Sequence, residues 1–120
     1  MNTLSNLLCW LLLVLFSVVG NAATETVDQE MQHLLQTIGN SDCIFVRNSK
    51  EYSPQEAQAH IQRKYNYIKS KITTTEQAIK YAATESSWSG KLYQIKCPGK
   101  NALPSGQWLT QELINYRTQY

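Results

Sequence analysis

The sequence has little of what usually announces a chemistry. Its 120 residues include two histidines and three cysteines. No C-x-x-C or H-x-x-x-H spacing joins His33 and His60 to the cysteines, so neither a metal site nor a cofactor is expected. The G-x-S-x-G elbow of the α/β-hydrolases is absent. Charge is sparse and balanced, 17% of residues with a formal net charge of +2. That excludes the one-sided basic face of a nucleic-acid binder. The densest basic stretch, Arg63, Lys64, Lys69 and Lys71, is interrupted by Tyr65 and Tyr67 and reads as a solvated helix face. Repeats, low-complexity tracts and linkers are also missing, so the length is read as one domain.

Charge is absent altogether before Glu25. In its place Leu7–Val19 form an apolar run broken only by Ser17. At 1.5 Å per residue the run spans roughly 20 Å, short of the ~30 Å hydrocarbon core. It suits the hydrophobic region of a secretory signal better than a spanning helix. Gly20 and Ala22 supply the small side chains that signal peptidase requires, which places cleavage after Ala22. Residues 1–22 are thus expected to be a signal peptide and 23–120 a single exported domain, periplasmic and free of the membrane. The uncharged MNTLSN start leaves an uncleaved N-terminal anchor as the alternative.

Cleavage removes Cys9 and leaves Cys43 and Cys97. In an oxidising compartment an isolated pair is expected to form one disulfide. Closing a loop of about 55 residues is worth roughly 4 kcal/mol in the chain-entropy model.

Hydrophobic spacing then outlines the elements. Val27, Met31, Leu34, Leu35 and Ile38 predict a helix from Asp28 to Ile38, with Gly39 as a left-handed stop and His33 off the buried stripe. Cys43–Arg47 reads as a strand, and Asn48–Glu51 as a turn into a short return segment at Tyr52. Ser53-Pro54-Gln55-Glu56 is a capping-box start, with Ala57, Ile61, Tyr65 and Ile68 as the buried stripe of a helix reaching Ser70. Thr73–Glu76 repeats the signal for a shorter helix ending near Thr84, with Ala78, Ile79, Ala82 and Ala83 inward. Leu92–Cys97 alternates as a strand, placing Tyr93, Ile95 and Cys97 on one face. The last helix spans Ser105–Arg117, with Leu109, Leu113 and Tyr116 inward. The expected fold class is α+β, a small antiparallel sheet of two or three strands covered by three or four helices in the order α-β-α-α-β-α.

Two blocks carry a resemblance. The first is Cys43-Ile44-Phe45-Val46-Arg47-Asn48 with Tyr52, Ala57, His60, Lys64 and Tyr65. The second is Thr74-Thr75-Glu76 with Ser86-Ser87-Trp88-Ser89-Gly90-Lys91-Leu92-Tyr93. In order and spacing they resemble the small exported bacterial proteins typified by enterobacterial YfeK, a domain of unknown function. The likeness runs from Val27 to Arg117 and implies a periplasmic location and no stated activity. The sequence departs from that pattern at Ser49, where glycine is usual, so a different turn is expected there.

Three chemistries are open to these residues. His60 and Lys64, one helical turn apart, Arg47 at a strand end and the Ser86–Ser89 loop are expected to line a cleft for an anionic or sugar-like ligand. Against this stands a structural role, with His60 and Lys64 pairing with nearby carboxylates at the rim of the core. A serine nucleophile with His60 as base lacks a visible carboxylate and oxyanion hole. Finally, Ser89-Gly90-Lys91-Leu92-Tyr93 resembles the S-G-x-x-Y loop of bacterial periplasmic lysozyme inhibitors, which implies a loop that enters an acidic cleft. A Gly turn with Tyr93 in the core explains the same residues. Trp88, between serines, is expected to contact a ligand or partner, and Trp108 to sit in the core. The resulting expectation is a non-enzymatic binding or interaction module using Arg47, His60, Lys64, Ser86, Ser87, Trp88, Ser89 and Tyr93. Its partner would be a periplasmic protein or a cell-envelope ligand, and the alternative is a hydrolase of envelope glycan or peptide.

Overall fold

A computed structural model describes residues 22–119, with side chains from Thr26 onward. The expected signal segment, Cys9 included, lies outside the described residues except for Ala22.

Helix α1 (Ala22–Asn40) is longer at both ends than its apolar stripe predicts. Val27, Met31, Leu34, Leu35 and Ile38 are all buried. Gly39 corrects the expected left-handed stop. It lies within α1 and is not among the positive-φ residues. Its value is closeness: a Cβ there would fall 1.9 Å from Gln58 Oε1, and Gln55 donates to the Gly39 carbonyl at 3.0 Å. The next helix along the chain therefore packs directly on the α1 backbone.

Strands β1 (Ile44–Arg47) and β2 (Lys50–Tyr52) form a hairpin whose two turn residues, Asn48 (φ 51°) and Ser49 (φ 65°), are both left-handed. Two positive-φ residues in a two-residue loop make a type I′ turn, which matches the twist of the strands. Helix α2 (Pro54–Ile68) starts with the expected capping box: Ser53 Oγ accepts from Glu56 N, and Glu56 Oε1 accepts from Ser53 N. A 3-10 turn (Lys69–Lys71) leads to α3 (Thr75–Ala83), whose capping box uses Thr74 and Gln77, one residue later than predicted.

Strand β3 (Gln94–Lys96) follows, then β4 (Leu103–Pro104) and α4 (Ser105–Gln119). The fold is α+β, with four helices among the described residues and an antiparallel sheet in the order β2-β1-β3-β4. The fourth strand escapes the sequence pattern because it is two residues long and contains Pro104, which has no N–H to donate.

Register sets the faces. Phe45 pairs with Tyr52 and Ile95, and Arg47 with Lys50. Side chains alternate along a strand, so Phe45, Arg47, Tyr52, Tyr93 and Ile95 share the face under the helices. Ile44, Gln94 and Lys96 point away and are exposed. Cys43 and Cys97 continue the β1–β3 register by one step and are disulfide-bonded. Trp108 is half-buried, edge-on to Phe45 with ring centroids 6.5 Å apart.

Away from the sheet, one polar knot ties three helices. Glu30 of α1 is only 5% exposed, accepts from Thr75 of α3 at 2.6 Å, and receives Nε and Nη2 of Arg117 from α4. Arg117 also pairs with Glu76. These bonds hold the Glu30 carboxyl below its ordinary range, Arg117 contributing most against the opposing effect of burial. His33 is half-buried, not simply exposed, because its ring stacks on Tyr116 at 4.2 Å.

Candidate functional site

Above the β1–β2 hairpin, α2 presents Glu56, His60, Arg63 and Lys64 along one side, the i, i+4 and i+7/i+8 positions of a single helical edge. Between this edge and the hairpin lies a cleft of about 230 Å³. Its walls are largely apolar, with Phe45, Val46, Ala57, Ala59 and Ile61, and Arg47, Tyr52, His60 and Tyr93 bring polar groups into it.

Those groups converge. Arg47 Nη1 donates to the His60 imidazole, 2.7 Å from Nδ1 and 2.9 Å from Nε2. Arg47 Nη2 donates to Tyr52 Oη at 2.9 Å, with the guanidinium over the Tyr52 ring. His60 Nε2 lies 3.0 Å from Tyr93 Oη. Lys64 Nζ donates to that same hydroxyl at 3.2 Å and to the Glu85 carbonyl at 3.0 Å. Arginine has no acceptor, so only the neutral imidazole can accept from Arg47, through one of its two ring nitrogens.

The electrostatics agree with the geometry. Desolvation by burial, then Arg47, Lys64 and Arg63, lower the His60 pKa to about 4. Burial and then Arg47 also lower the pKa of Lys64. Among the described residues no carboxylate is in ion-pair contact with Arg47 or Lys64; the ion pairs found both belong to Arg117. Glu56, which does line the cleft, is turned back to cap α2 through Ser53 N. The direct hydrogen-bond partners of Arg47 and Lys64 are thus uncharged groups.

The predicted loop residues sit beside this cluster. Ser86 is buried; its hydroxyl accepts from Trp88 N, Ser89 N and Asn48 Nδ2. Ser89 Oγ donates to Asn48 Oδ1 and accepts from Lys91 N. The hairpin turn that carries Arg47 and the loop that precedes Tyr93 are therefore laced together through Asn48. Ser87 and Trp88 are exposed and outside the cleft. No hydrogen bond joins any of these serines to His60 among the described residues, whose ring nitrogens face Arg47 and Tyr93. Tyr93 is buried with its hydroxyl in the cluster, so it is not displayed by the loop.

Tyr52 and Asn48 belong to the site but were not singled out from the sequence as site residues. The signal was present: a two-residue turn after Arg47 pairs it with Lys50 and puts Tyr52 on the same face. Among the described residues no group of three or more His, Cys, Asp and Glu side chains is placed to hold a metal ion. No described helix is long and apolar enough to cross a membrane.

Comparison with curated proteins and with solved structures gave no match. A family model does match, over residues 25–117, the span that contains every element just described from the body of α1 to Arg117. The chain belongs to the DUF5329 family, a family of unknown function.

Proposed function

We propose that this protein is a non-enzymatic binding module whose cleft takes a small organic anion with an apolar body. One observation carries the reading: the Arg47 guanidinium lines an apolar-walled cleft bonded to the uncharged side chains of Tyr52, His60 and Tyr93, with no ion-pair partner among the described residues. A carboxylate or similar anion would supply the missing counter-charge through the remaining N–H groups of Arg47. At about 230 Å³ the space is below the ~300–1,000 Å³ usual for drug-sized ligands, which argues for a small one. A hydrolytic role is less well supported, since among the described residues neither a carboxylate nor a serine hydroxyl is hydrogen-bonded to His60, whose partners are Arg47 and Tyr93.

An exported, periplasmic setting is part of the proposal. The Cys43–Cys97 disulfide supports it, because such bonds persist in oxidising compartments. The apolar, uncharged segment before Glu25 and the likeness to exported enterobacterial proteins point the same way.

The test is a two-dimensional NMR titration with benzoate, using its neutral isostere benzamide as control. Benzoate is expected to shift Arg47, Tyr52, His60 and Tyr93 resonances with a Kd on the order of 1 mM, about −4 kcal/mol. It should also raise the His60 pKa by adding negative charge beside it. Arg47→Met should abolish both effects. Equal shifts from benzamide, or none from 20 mM benzoate and 20 mM inorganic phosphate, would sink the proposal.

A further inference from the structure

Trp88 is 94% exposed, at the tip of a loop that is anything but slack. Ser86 N donates to Lys91 O at 2.9 Å and Gly90 N to Ser86 O at 2.9 Å. Gly90 closes this turn at φ 71°, a conformation costly for any residue with a Cβ. The Ser86 hydroxyl takes the Trp88 and Ser89 amides, and Glu85 bridges to Leu92 at the base. From outside, Asn48 braces Ser86 and Ser89, while Lys64 holds the Glu85 carbonyl. The backbone beneath the indole is fixed before any encounter. Pre-organisation of this kind removes much of the ordering cost of binding.

An exposed indole is expensive to leave in water: a tryptophan exposes well over 150 Å² of surface. Nothing in the fold requires it there, since Ser87 and Ser89 on either side are polar. The degree of exposure also speaks to the kind of ligand. A platform for a sugar ring rests one face of its indole on the protein and offers the other. At 94% exposure both faces are open, so Trp88 is a projecting knob that fits a slot.

The charges around the knob add a second constraint. Between Ser86 and Leu92 the one charged side chain is Lys91, which is exposed; Lys50, Glu51 and Glu85, also exposed, lie on the neighbouring hairpin and at the loop base. Lys91 favours a partner surface that carries carboxylates where it meets the loop.

We infer that the Glu85–Leu92 loop is a protein-docking element: Trp88 inserts into an apolar slot on a partner protein whose rim carries carboxylates that meet Lys91. The inference stands independently of the cleft, because Trp88 does not line it.

The experiment uses the full chain in its own cells, with a photo-reactive phenylalanine at position 88 and, as control, at exposed Ile114 on α4. A protein captured from position 88 and not from 114 is then purified and titrated by calorimetry against the wild-type chain, Trp88→Ala, Trp88→Phe and Lys91→Glu. Trp88→Ala is expected to weaken binding by about 30-fold or more, a hot-spot loss of ~2 kcal/mol at 1.4 kcal/mol per decade. Trp88→Phe should keep part of the affinity, and Lys91→Glu should weaken it and flatten its salt dependence. Thermal melts of the variants should match the wild type, because neither side chain packs in the core. The inference is overturned if position 88 gives no adduct beyond the control, or if Trp88→Ala binds the captured protein within two-fold of wild type. It is also overturned if a chitin tetrasaccharide binds with a fluorescence change that Trp88→Ala removes, which would make the indole a glycan platform.

Discussion

Replacing Ser49 by glycine tests the hairpin that aims Arg47 and Tyr52 into the cleft. Ser49 sits at φ 65°, its side chain is exposed, and its neighbour Asn48 is at φ 51°. A non-glycine residue pays roughly 1–2 kcal/mol for the left-handed conformation. Glycine avoids that cost but loses roughly 0.4–1 kcal/mol through the greater freedom of its unfolded chain. The net expectation for Ser49→Gly is a gain of about 0.5–1 kcal/mol. For a domain of this size 1 kcal/mol moves Tm by roughly 4–8 °C, so a rise of about 2–8 °C follows. Asn48 is the wrong place for the same change, because its side chain braces Ser86 and Ser89. Thermal and urea melts followed by circular dichroism would measure the effect, with an unchanged urea slope showing that stability alone has moved. Gly99→Ala is the mirror control: Gly99 lies at φ 71° with open space around an added Cβ, so the loss there is purely backbone. It should cost about 1 kcal/mol. A lower Tm for Ser49→Gly alongside that loss would refute the type I′ account of the turn.

Three further outcomes follow from the same contacts. The His60 midpoint, read from imidazole NMR shifts, should lie near 4, held down by burial first and then by Arg47; Arg47→Met should raise it. Between pH 6.5 and about 4 the unfolded chain binds a proton that the folded chain refuses, so His60 makes stability fall as pH drops through that window. A His60→Gln variant should lose that part of the urea-melt pH dependence. Removing the disulfide with Cys43→Ala and Cys97→Ala together should cost about 4 kcal/mol for the 54-residue separation; a loss below ~1 kcal/mol would refute the loop-entropy account. Arg117→Met should cost about 2–3 kcal/mol at pH 7 by leaving buried Glu30 with Thr75 alone, and adding Glu30→Gln should return part of it.

Much of the fold is legible in the sequence because local rules and burial agree. The Ser53–Glu56 capping box, the Met31–Ile38 stripe and the alternation from Tyr93 to Cys97 each specify one conformation and one inward face. Errors cluster where a residue's role depends on a neighbour far along the chain. Gly39 looks like a helix stop, yet Gln58 and Gln55 of α2 make it a contact point. His33 falls off its own helix's stripe and is covered by Tyr116, which comes from the far end of the chain. Glu30, three residues after Val27 and four before Leu34, sits at the edge of the buried stripe, but only Arg117, 87 residues away, explains how its charge is held there.

The sequence by itself determined the α+β class, the starts of α2 and α4 and the inward faces, because each depends on nearby chemistry, and it pointed to Cys43 and Cys97 as a pair. It also nominated Arg47, His60 and Lys64 as the lining of one cleft, and Tyr93 separately, at the end of the serine loop. Only the tertiary structure decided that these four meet, that Tyr52 joins them, and that Glu56 is turned away to cap its helix. It also separated the cleft from Trp88, which stands clear on its braced loop. The physical reason is register: the β1–β2 hairpin sets Arg47 and Tyr52 on one face locally, but the β1–β3 pairing that brings Tyr93 to that face is a long-range choice that no local stretch of this chain contains.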